Sequence, residues 1–267
     1  MKFLRRMIYY SKSVWEMMWQ FKHWPDLFAF MLRRSSSEKK IIQLRSPSVQ
    51  LVVRSAMDVW SVKETFLDAF YTKYGVPIQD GWTVIDIGAG IGDFSVYAAY
   101  GKPKTTIYAY EPFIDSYELL NENLRLNNIK NVNPFQIAIW SADGNLLLDD
   151  SSGEPLQITS NKTNLVGESL QKNIVQSKSL IAILDEHALE KVDLIKLDCE
   201  GAEYDVLMQA PSAVFDKIKR ITMEYHDLDA EHSHQQLIPF LEDQGYHVQR
   251  FMNAVHDHIG YLFAVKE

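Results

Sequence analysis

The chain has 267 residues, of which 46% are apolar and 12% aromatic, enough to bury one substantial core. Its net charge of −8 argues against a nucleic-acid-binding protein, whose phosphate-binding face is usually basic. Apolar runs long enough to span a membrane are absent from the sequence. The single cysteine, Cys199, excludes an intramolecular disulfide framework and indicates a reducing, cytoplasmic location.

Residues 1–34 differ in charge from the rest of the chain. They contain seven basic and two acidic residues, a net charge of +5, which leaves −13 for the remainder. Their aromatic residues recur in a helical pattern that Pro25 interrupts, and the features of a signal peptide are missing, so we expect a retained helix. Two interpretations stay open. The helix packs on the domain or on a second subunit, or it makes a peripheral contact with an anionic membrane.

The composition divides the chain into three parts. Residues 1–40 form the basic aromatic extension and a linker, and residues 81–267 form the main α/β domain. Residues 41–80 predict a strand or hairpin followed by a helix, a lead-in that we expect to cover the acceptor side of a binding site. Arg54, Asp58 and Tyr71 are its polar candidates for that side, although a structural role explains them equally well.

The stretch from Thr83 to Tyr100 predicts a strand, a tight turn and a helix. An acidic residue near the end of the strand and the small residues of the turn are predicted to bind a cofactor. They are Asp86, Gly88, Ala89, Gly90 and Gly92. A dinucleotide-binding fingerprint would place a third glycine at position 93, but Asp93 is a poor neighbour for a pyrophosphate. The spacing instead resembles the Asp-x-Gly-x-Gly-x-Gly loop of class I methyltransferases, whose ligand, S-adenosylmethionine, has an amino-acid end and a sulfonium but no phosphate. We then expect Asp86 and Asp93 to face cationic groups of the ligand. A turn that needs glycine only for packing is the alternative.

A second acidic position strengthens this interpretation. The strand from Thr105 to Tyr110 ends at Glu111 and Pro112, about where a βαβ unit places its ribose-binding carboxylate. We therefore predict that Glu111 accepts hydrogen bonds from both ribose hydroxyls and that Pro112 lines the same corner. An exposed acid at a strand end is the alternative.

The following segments predict a helix from Ile114 to Asn128 and a third strand from Val132 to Trp140. Within that strand, Ile137 and Ala138 fall near the position where this architecture usually contacts adenine. Residues 150–178 are rich in Ser, Asn, Thr, Gly and Gln, which predicts a long polar insertion. Such an insertion is either a functional lid or a solvated loop.

Acidic residues follow the next predicted strand, Val192 to Asp198, which turns directly into a helix. Asp198 and Glu200 therefore lie at the C-terminal edge of the sheet, where open α/β sheets bind ligands. Two carboxylates so close together raise the pKa of one of them, which suits a base or a cation site. The strand from Arg220 to Asp227 brings Glu224 and His226 to the same edge, on one face by the two-residue period.

A further helix, His234 to Gln244, and a closing pair, Tyr246 to Phe251 and Ile259 to Val265, complete seven strands. The order of elements predicts an α/β fold of the class I methyltransferase, Rossmann-like type. We expect a mostly parallel sheet with an antiparallel last strand and a helical N-terminal extension.

Several motifs together resemble the FkbM-type methyltransferase family over roughly residues 50–265. They are Asp86-Ile-Gly-Ala with Gly92, Tyr110-Glu111-Pro112, Leu184-Asp185, Lys196-Leu-Asp198-Cys-Glu200-Gly-Ala-Glu203 and Glu224-Tyr-His226. Much of that family has Asn where this chain has Gly90. The resemblance implies methyl transfer from S-adenosylmethionine, usually to a hydroxyl of a sugar, glycan or secondary metabolite.

The implied reaction is an in-line attack by the acceptor oxygen while a base removes its proton. The candidate bases are His226, whose ordinary pKa of about 6.5 suits neutral pH, and then Asp198 or Glu200. Structural roles for these residues are the alternative. Two other functions stay open: a cofactor-binding protein without catalysis, and a nicotinamide-dependent oxidoreductase, against which Asp93 argues.

A divalent metal is a weaker hypothesis. Five histidines follow the fifth strand or precede the last one, in loops at the edge that carries Asp198: His226, His232, His234, His256 and His258. Imidazole and carboxylate together suit a transition metal. His-x-His pairs in polar loops are usually solvated, however, so the sequence alone assigns no metal ligand.

Overall fold

The computed structural model describes residues 2–32, 38–75, 77–148, 158–159 and 174–267. The strands in these ranges are β1 (Lys40–Gln43), β2 (Gln50–Val53), β3 (Thr83–Ile87), β4 (Thr106–Tyr110), β5 (Val132–Phe135), β6 (Ala138–Trp140), β7 (Gly144–Leu148), β8 (Ile158–Thr159), β9 (Ile174–Ser179), β10 (Leu194–Leu197), β11 (Arg220–His226), β12 (His247–Met252) and β13 (Ile259–Val265). The α-helices are α1 (Lys2–Gln20), α2 (Trp24–Met31), α3 (Ala56–Lys63), α4 (Asp93–Ala99), α5 (Ile114–Leu126), α6 (Leu180–Glu186), α7 (Glu203–Met208), α8 (Ser212–Asp216) and α9 (His234–Asp243).

Seven strands form the central sheet, in the order β12-β13-β11-β10-β3-β4-β5. β13 runs antiparallel to both of its neighbours, and the remaining pairs are parallel, which confirms the predicted class I methyltransferase architecture. The antiparallel strand lies inside the sheet, between β12 and β11, and not at its edge. The strand order reverses between β3 and β10, and open α/β sheets bind ligands at such a point.

The two strands at this reversal are buried on both faces. Val84 and Ile85 of β3 and Ile195 and Leu197 of β10 are almost inaccessible to solvent. Apolar clusters cover the two faces of the sheet, one built with α4 and α5 and the other with α6, α7 and α9. The core therefore holds the C-terminal ends of β3 and β10 in fixed positions.

A second, four-stranded sheet corrects the prediction for residues 132–178. The predicted third strand is two strands, because the chain leaves the central sheet after Phe135 and Ala138–Trp140 pairs with Ser177–Ser179 instead. Pro134 lies in the edge strand β5, where a residue without an N–H is tolerated. The end of the predicted polar insertion, Ile174–Ser179, is a strand of this second sheet. Residues 149–157 and 160–173 of the insertion lie outside the described residues.

The N-terminal region forms two helices, and the break between them precedes Pro25. α1 ends at Gln20, Phe21 bridges to Leu44 of the lead-in, and Pro25 lies in the first turn of α2, where its missing N–H costs nothing. The hairpin expected in the lead-in is the antiparallel pair β1 and β2. The expected helix is α3, which continues as one π-helical turn, Glu64–Asp68.

Two asparagine side chains attach this hairpin to the central domain. Asn123 of α5 accepts a hydrogen bond from Val52 N at 2.6 Å and donates to the carbonyls of Val52 and Ile91. One turn later, Asn127 accepts from Gln50 N and donates to Gln50 O. Two asparagines four residues apart on the helix thus lie opposite two residues that are two apart on the strand.

We expect Asn123→Ala to reduce the free energy of unfolding by about 2–4 kcal/mol, because it leaves buried backbone groups of Val52 and Ile91 without partners. Asn121→Ala is the matched control. Asn121 lies on the same helix and donates only within it, to Tyr117 O, so its loss should stay within about 0.5 kcal/mol. Urea unfolding measures both values. Equal losses for the two variants would contradict the role given to Asn123.

Candidate functional site

A cleft opens at the C-terminal edge of the sheet, beside the ends of β3, β4 and β10. Its empty volume, including the mouth that is open to solvent, is about 900 Å³. Predicted site residues that line it are Gly88, Gly90, Glu111, Pro112, Ala138, Asp198 and Glu200. The cleft therefore gathers residues that are up to 146 positions apart in the sequence, from Arg54 to Glu200.

Asp86 does not reach this cleft. Its carboxylate is fully buried, accepts a hydrogen bond from Ser95 Oγ at 2.7 Å and lies 3.2 Å from Lys196 Nζ. Asp93 is also buried and accepts from Ser61 Oγ and Thr65 Oγ1, which ties α4 to the lead-in. We expected both acids to face cationic groups of the ligand. The structure instead gives them partners within the protein.

The three glycines of the loop have different reasons to be glycine. A Cβ at Gly88 would lie 1.8 Å from the carbonyl oxygen of Asp198, and one at Gly92 would lie 2.3 Å from a methyl group of Leu120. Both positions are thus fixed by packing inside the protein. A Cβ at Gly90 would meet open space, and its φ of +54° is a left-handed conformation that Asn also tolerates. Ala89, between them, is buried.

The carboxylate of Glu111 is buried in the cleft, where two backbone N–H groups hold it. One carboxylate oxygen accepts from Gly90 N at 2.7 Å and the other from Phe113 N at 3.0 Å. Burial raises the pKa of Glu111 to about 7, although these hydrogen bonds and the charge of Lys196 oppose the rise. Each oxygen retains a second lone pair for a ligand hydroxyl.

The apolar wall of the cleft is displaced by one residue from its predicted position. Ala138 lines the cleft, as predicted, and its apolar companion there is Ile139. Ile137 packs instead against the core cluster of the central sheet. Ile137 and Ile139 are two residues apart, so alternation along a strand does not distinguish them. They differ because Ile137 precedes β6 whereas Ile139 lies within it.

Lys196 connects the ends of β3 and β10. Its Nζ lies 2.7 Å from Gly88 O, 3.2 Å from Asp86 and 4.0 Å from Asp198. Burial alone would lower the pKa of Lys196, but the carboxylates of Asp86, Asp198 and Asp93 raise it above its usual range. The sequence analysis gave Lys196 no role. A lysine inside a strand of apolar residues was the available signal, because a buried lysine requires partners.

The predicted catalytic acids follow β10. Asp198 accepts a hydrogen bond from Tyr71 OH at 2.7 Å, which brings the lead-in to the cleft. Glu200 has a φ of +53° and Gly201 one of +102°, so the turn before α7 is tight. Arg54, Asp58 and Tyr71 were the polar candidates of the lead-in. Arg54 and Asp58 form an ion pair at 3.3 Å and line the cleft, whereas Tyr71 reaches it through Asp198.

His226 lies between two glutamates. Its Nδ1 is 3.2 Å from Oε1 of Glu203, whose side chain is fully buried, and its Nε2 is 3.3 Å from Glu200. Burial alone would lower the pKa of His226, but Glu203, Glu200 and Glu224 raise it to about 10. The unperturbed pKa assumed for a base at neutral pH is therefore wrong for this histidine. A protonated imidazole cannot accept the proton of an acceptor hydroxyl.

Two further acids lie near Asp198. Burial and the charges of Asp198 and Glu64 raise the pKa of Glu224 well above its ordinary value. Burial likewise raises the pKa of Glu64 to about 8, against the opposing charge of Lys63. Glu64 begins the π-helical turn, and such turns are frequent at functional sites. Nothing in the sequence pattern distinguished Glu64 as a member of this group.

The remaining histidines pair elsewhere. His232 contacts Asp229 at 3.1 Å, and His234 contacts Asp227 at 2.7 Å. The rings of His256 and His258 pack edge to face, with their centroids 5.8 Å apart. Only His226 of the five histidines joins the cluster of possible metal ligands among the described residues, together with Asp198 and Glu224.

Comparison with known proteins identifies the family to which this chain is similar. The methyltransferase FkbM domain matches residues 86–248. Methyltransferase sdnD of Sordaria araneosa is 28% identical over 215 residues, which cover 70% of this chain and 82% of that protein. The 31-O-demethyl-FK506 methyltransferase FkbM of Streptomyces tacrolimicus is 24% identical over 195 residues, covering 62% and 74%. The crystal structure of methyltransferase FkbM from Methylobacillus flagellatus superposes with a TM-score of 0.50 at 16% identity, covering 73% and 47%.

We expect Lys196→Met to destabilise the fold by about 3–5 kcal/mol, because it leaves the buried carboxylate of Asp86 without a countercharge. Thermal and urea unfolding measure the loss. Lys191→Met is the matched control, since its ammonium pairs with Asp193 at the surface and should contribute less than about 1 kcal/mol.

The double variant Lys196→Met with Asp86→Asn tests the physical reason for that loss. Because Asn carries no charge, it should recover part of the stability lost in Lys196→Met. A double variant as unstable as the sum of its single variants would contradict the charge argument.

Proposed function

Because the chain belongs to the FkbM methyltransferase family, we propose that it binds S-adenosylmethionine in the cleft and methylates a hydroxyl oxygen. The proposed acceptors are a sugar, a glycan or a secondary metabolite. The name of the Streptomyces relative supports oxygen as the methylated atom, because its substrate is described as an O-demethyl compound.

The position of Glu111 is the main observation that supports this proposal. Its buried carboxylate lines the cleft at the tip of the second parallel strand, held by two backbone N–H groups. A ribose diol would satisfy the lone pairs that these hydrogen bonds leave over. Gly90 leaves open space beside it, and Ala138 and Ile139 provide an apolar wall for a base. The residues present thus fit a nucleoside without phosphate.

S-adenosylmethionine supplies an activated methyl group on a sulfonium, so the protein's main contribution is to position the two reactants. Glu111 would hold the ribose, while Lys196 keeps the loop carbonyl of Gly88 and the end of β10 in register. Asp198 and Glu200 line the same cleft and remain the candidates for the proton from the acceptor hydroxyl. The glutamates beside His226 raise its pKa, so the imidazole stays protonated and carries a positive charge. It is therefore poorly suited to accept a proton.

Calorimetric titration with S-adenosylhomocysteine tests the cofactor part of the proposal. The apparent Kd should rise about tenfold between pH 8 and pH 6, because a carboxyl group with a pKa of about 7 is mostly ionised at pH 8 and only about one tenth ionised at pH 6. Glu111→Gln should bind more weakly and lose this pH dependence. Glu122→Gln, which removes a surface charge on α5, is the matched control and should titrate like the wild type.

Absence of heat with both S-adenosylmethionine and S-adenosylhomocysteine would refute the proposal. Heat with a nicotinamide dinucleotide alone would favour an oxidoreductase. For catalysis, release of S-adenosylhomocysteine is followed with a panel of hydroxylated acceptors. Cofactor binding without any such release would indicate a binding protein without catalysis.

A further inference from the structure

Three possible metal ligands converge where β10 and β11 end. Asp198 follows β10, Glu224 and His226 belong to the neighbouring parallel strand β11, and one ligand atom from each lies within 4.8 Å of the others. Glu224 and His226 share a face of the strand because side chains alternate. The parallel pairing of two strands thus brings one imidazole and two carboxylates to a single point beside the cleft.

The ring of His226 is oriented in the manner of a metal ligand. Its Nδ1 lies 3.2 Å from the fully buried carboxylate of Glu203, which also accepts a hydrogen bond from Cys199 N. Metal-binding histidines usually donate their second ring N–H to such a carboxylate, which fixes the tautomer and the ring plane. Glu203 therefore engages Nδ1, whereas Nε2, which lies 3.3 Å from Glu200, is the nitrogen that a metal ion would bind in place of that contact.

In the described part of the chain, no lysine or arginine forms an ion pair with Glu224. Lys196 lies 4.0 Å from Asp198, but its closer contacts are with Asp86 and the carbonyl of Gly88. Tyr71 donates a hydrogen bond to Asp198 without adding charge. A cation at the centre of these groups would offset their mutual repulsion.

We propose that Asp198, Glu224 and His226 bind one divalent transition-metal ion, such as Mn²⁺ or Zn²⁺, next to the cleft. The imidazole favours these ions over Mg²⁺, which prefers oxygen ligands. If the proposed methyl transfer is correct, the ion would supply Lewis-acid stabilisation for the negative charge of the acceptor oxygen, and Glu200, which lines the cleft and is not one of the three ligands, would take the proton. His226 is then a ligand and not a base, and metal binding would displace the proton that its glutamate neighbours favour on the ring.

The test is calorimetric titration of the full, chelator-treated chain with Mn²⁺ and then with Zn²⁺, in the absence of any nucleoside. We expect one ion per chain, and at least tenfold weaker binding for Glu224→Gln and for His226→Gln. The control is His232→Gln, which removes an exposed histidine paired with Asp229 and should leave the titration unchanged. Circular dichroism and melting curves verify that each variant is folded.

Substitution with Co²⁺ gives a second readout, because its visible absorption bands report a nitrogen ligand and should shift in His226→Gln. The proposal is overturned if none of these ions binds, or if folded Glu224→Gln and His226→Gln variants bind as tightly as the wild type. Equal weakening by His232→Gln would indicate adventitious surface binding and overturn it as well. Since the ion is titrated alone, its failure is separate from a failure of S-adenosylhomocysteine to bind.

The N-terminal helix carries an independent observation. One face of α1 packs on the domain, where Ser13 and Met17 are buried and Tyr9 OH donates to Asp68 at 2.9 Å. The guanidinium groups of Arg5 and Arg6 reach the backbone carbonyls of Asn253 and Val255. This packing on the domain is one of the two interpretations that the sequence left open, and it fixes which face of the helix points outward.

The outward face carries an apolar stripe, defined here as Leu4, Ile8, Trp15 and Trp19. These side chains are 62%, 60%, 66% and 71% exposed, and their spacing of four, seven and four residues aligns them along the helix. Tryptophan and leucine on a basic helix are typical of segments that lie in a membrane interface. Among the described residues, no helix has the length and apolar character needed to cross a bilayer.

We infer that the apolar stripe rests on the surface of an anionic lipid bilayer. In the sequence, residues 1–34 carry a net charge of +5, which an anionic surface complements. A second copy of the chain, paired through the same stripe, would set +5 against +5. Such contact would bring the cleft to acceptors that are themselves at the membrane.

Cosedimentation of the full chain with vesicles tests this inference. We expect binding to phosphatidylserine-containing vesicles and at least fivefold less to phosphatidylcholine alone, with loss of binding in Trp15→Gln with Trp19→Gln. Ile114→Gln with Leu228→Gln removes two similarly exposed apolar residues elsewhere and should bind normally. Equal binding by both double variants, or no binding by the wild type, overturns the inference. So does a dimer in lipid-free buffer that the tryptophan variant dissociates.

Discussion

The ion pair between Lys196 and Asp86 is the interaction on which the arrangement of the cleft depends. It lies where the strand order reverses and joins the first and fourth parallel strands by charge as well as by backbone hydrogen bonds. The same ammonium fixes the carbonyl of Gly88 and reaches Asp198. One buried cation therefore sets the distance between the loop that would hold the cofactor and the acid that would face the acceptor. Its own desolvation is offset only because several carboxylates surround it.

Charge is distributed unequally around this pair. On the cofactor side, Glu111 is balanced by backbone N–H groups, so a neutral diol can bind without bringing a countercharge. On the side proposed for the acceptor, Asp198, Glu224 and His226 lie close together. Glu203 and Glu200 contact the two nitrogens of the imidazole. Such a surplus of acids costs free energy unless a cation or protons compensate for it. The two halves of the cleft therefore favour ligands of different chemistry.

Sequence reasoning was most successful where local pattern and spacing decide the structure. β3, β4 and the position of Glu111 follow from alternation and from the length of a βαβ unit. Asp86 and Asp93 were misjudged because their partners, Lys196 and Thr65, come from distant segments that no local pattern connects. The break after Phe135 depends on which strand is available for pairing, a tertiary property. Ile139 lines the cleft in place of Ile137 because β6 begins only at Ala138, after the chain has left the central sheet.

The asparagine pair on α5 also has a consequence for self-association. An open strand edge normally offers its N–H and C=O groups to any extended chain, which makes it a template for aggregation. Along β2, the groups of Gln50 and Val52 are already saturated by Asn127 and Asn123. A helix therefore takes the place of the missing neighbour strand, and the β2 edge of this two-stranded hairpin is closed to other extended chains.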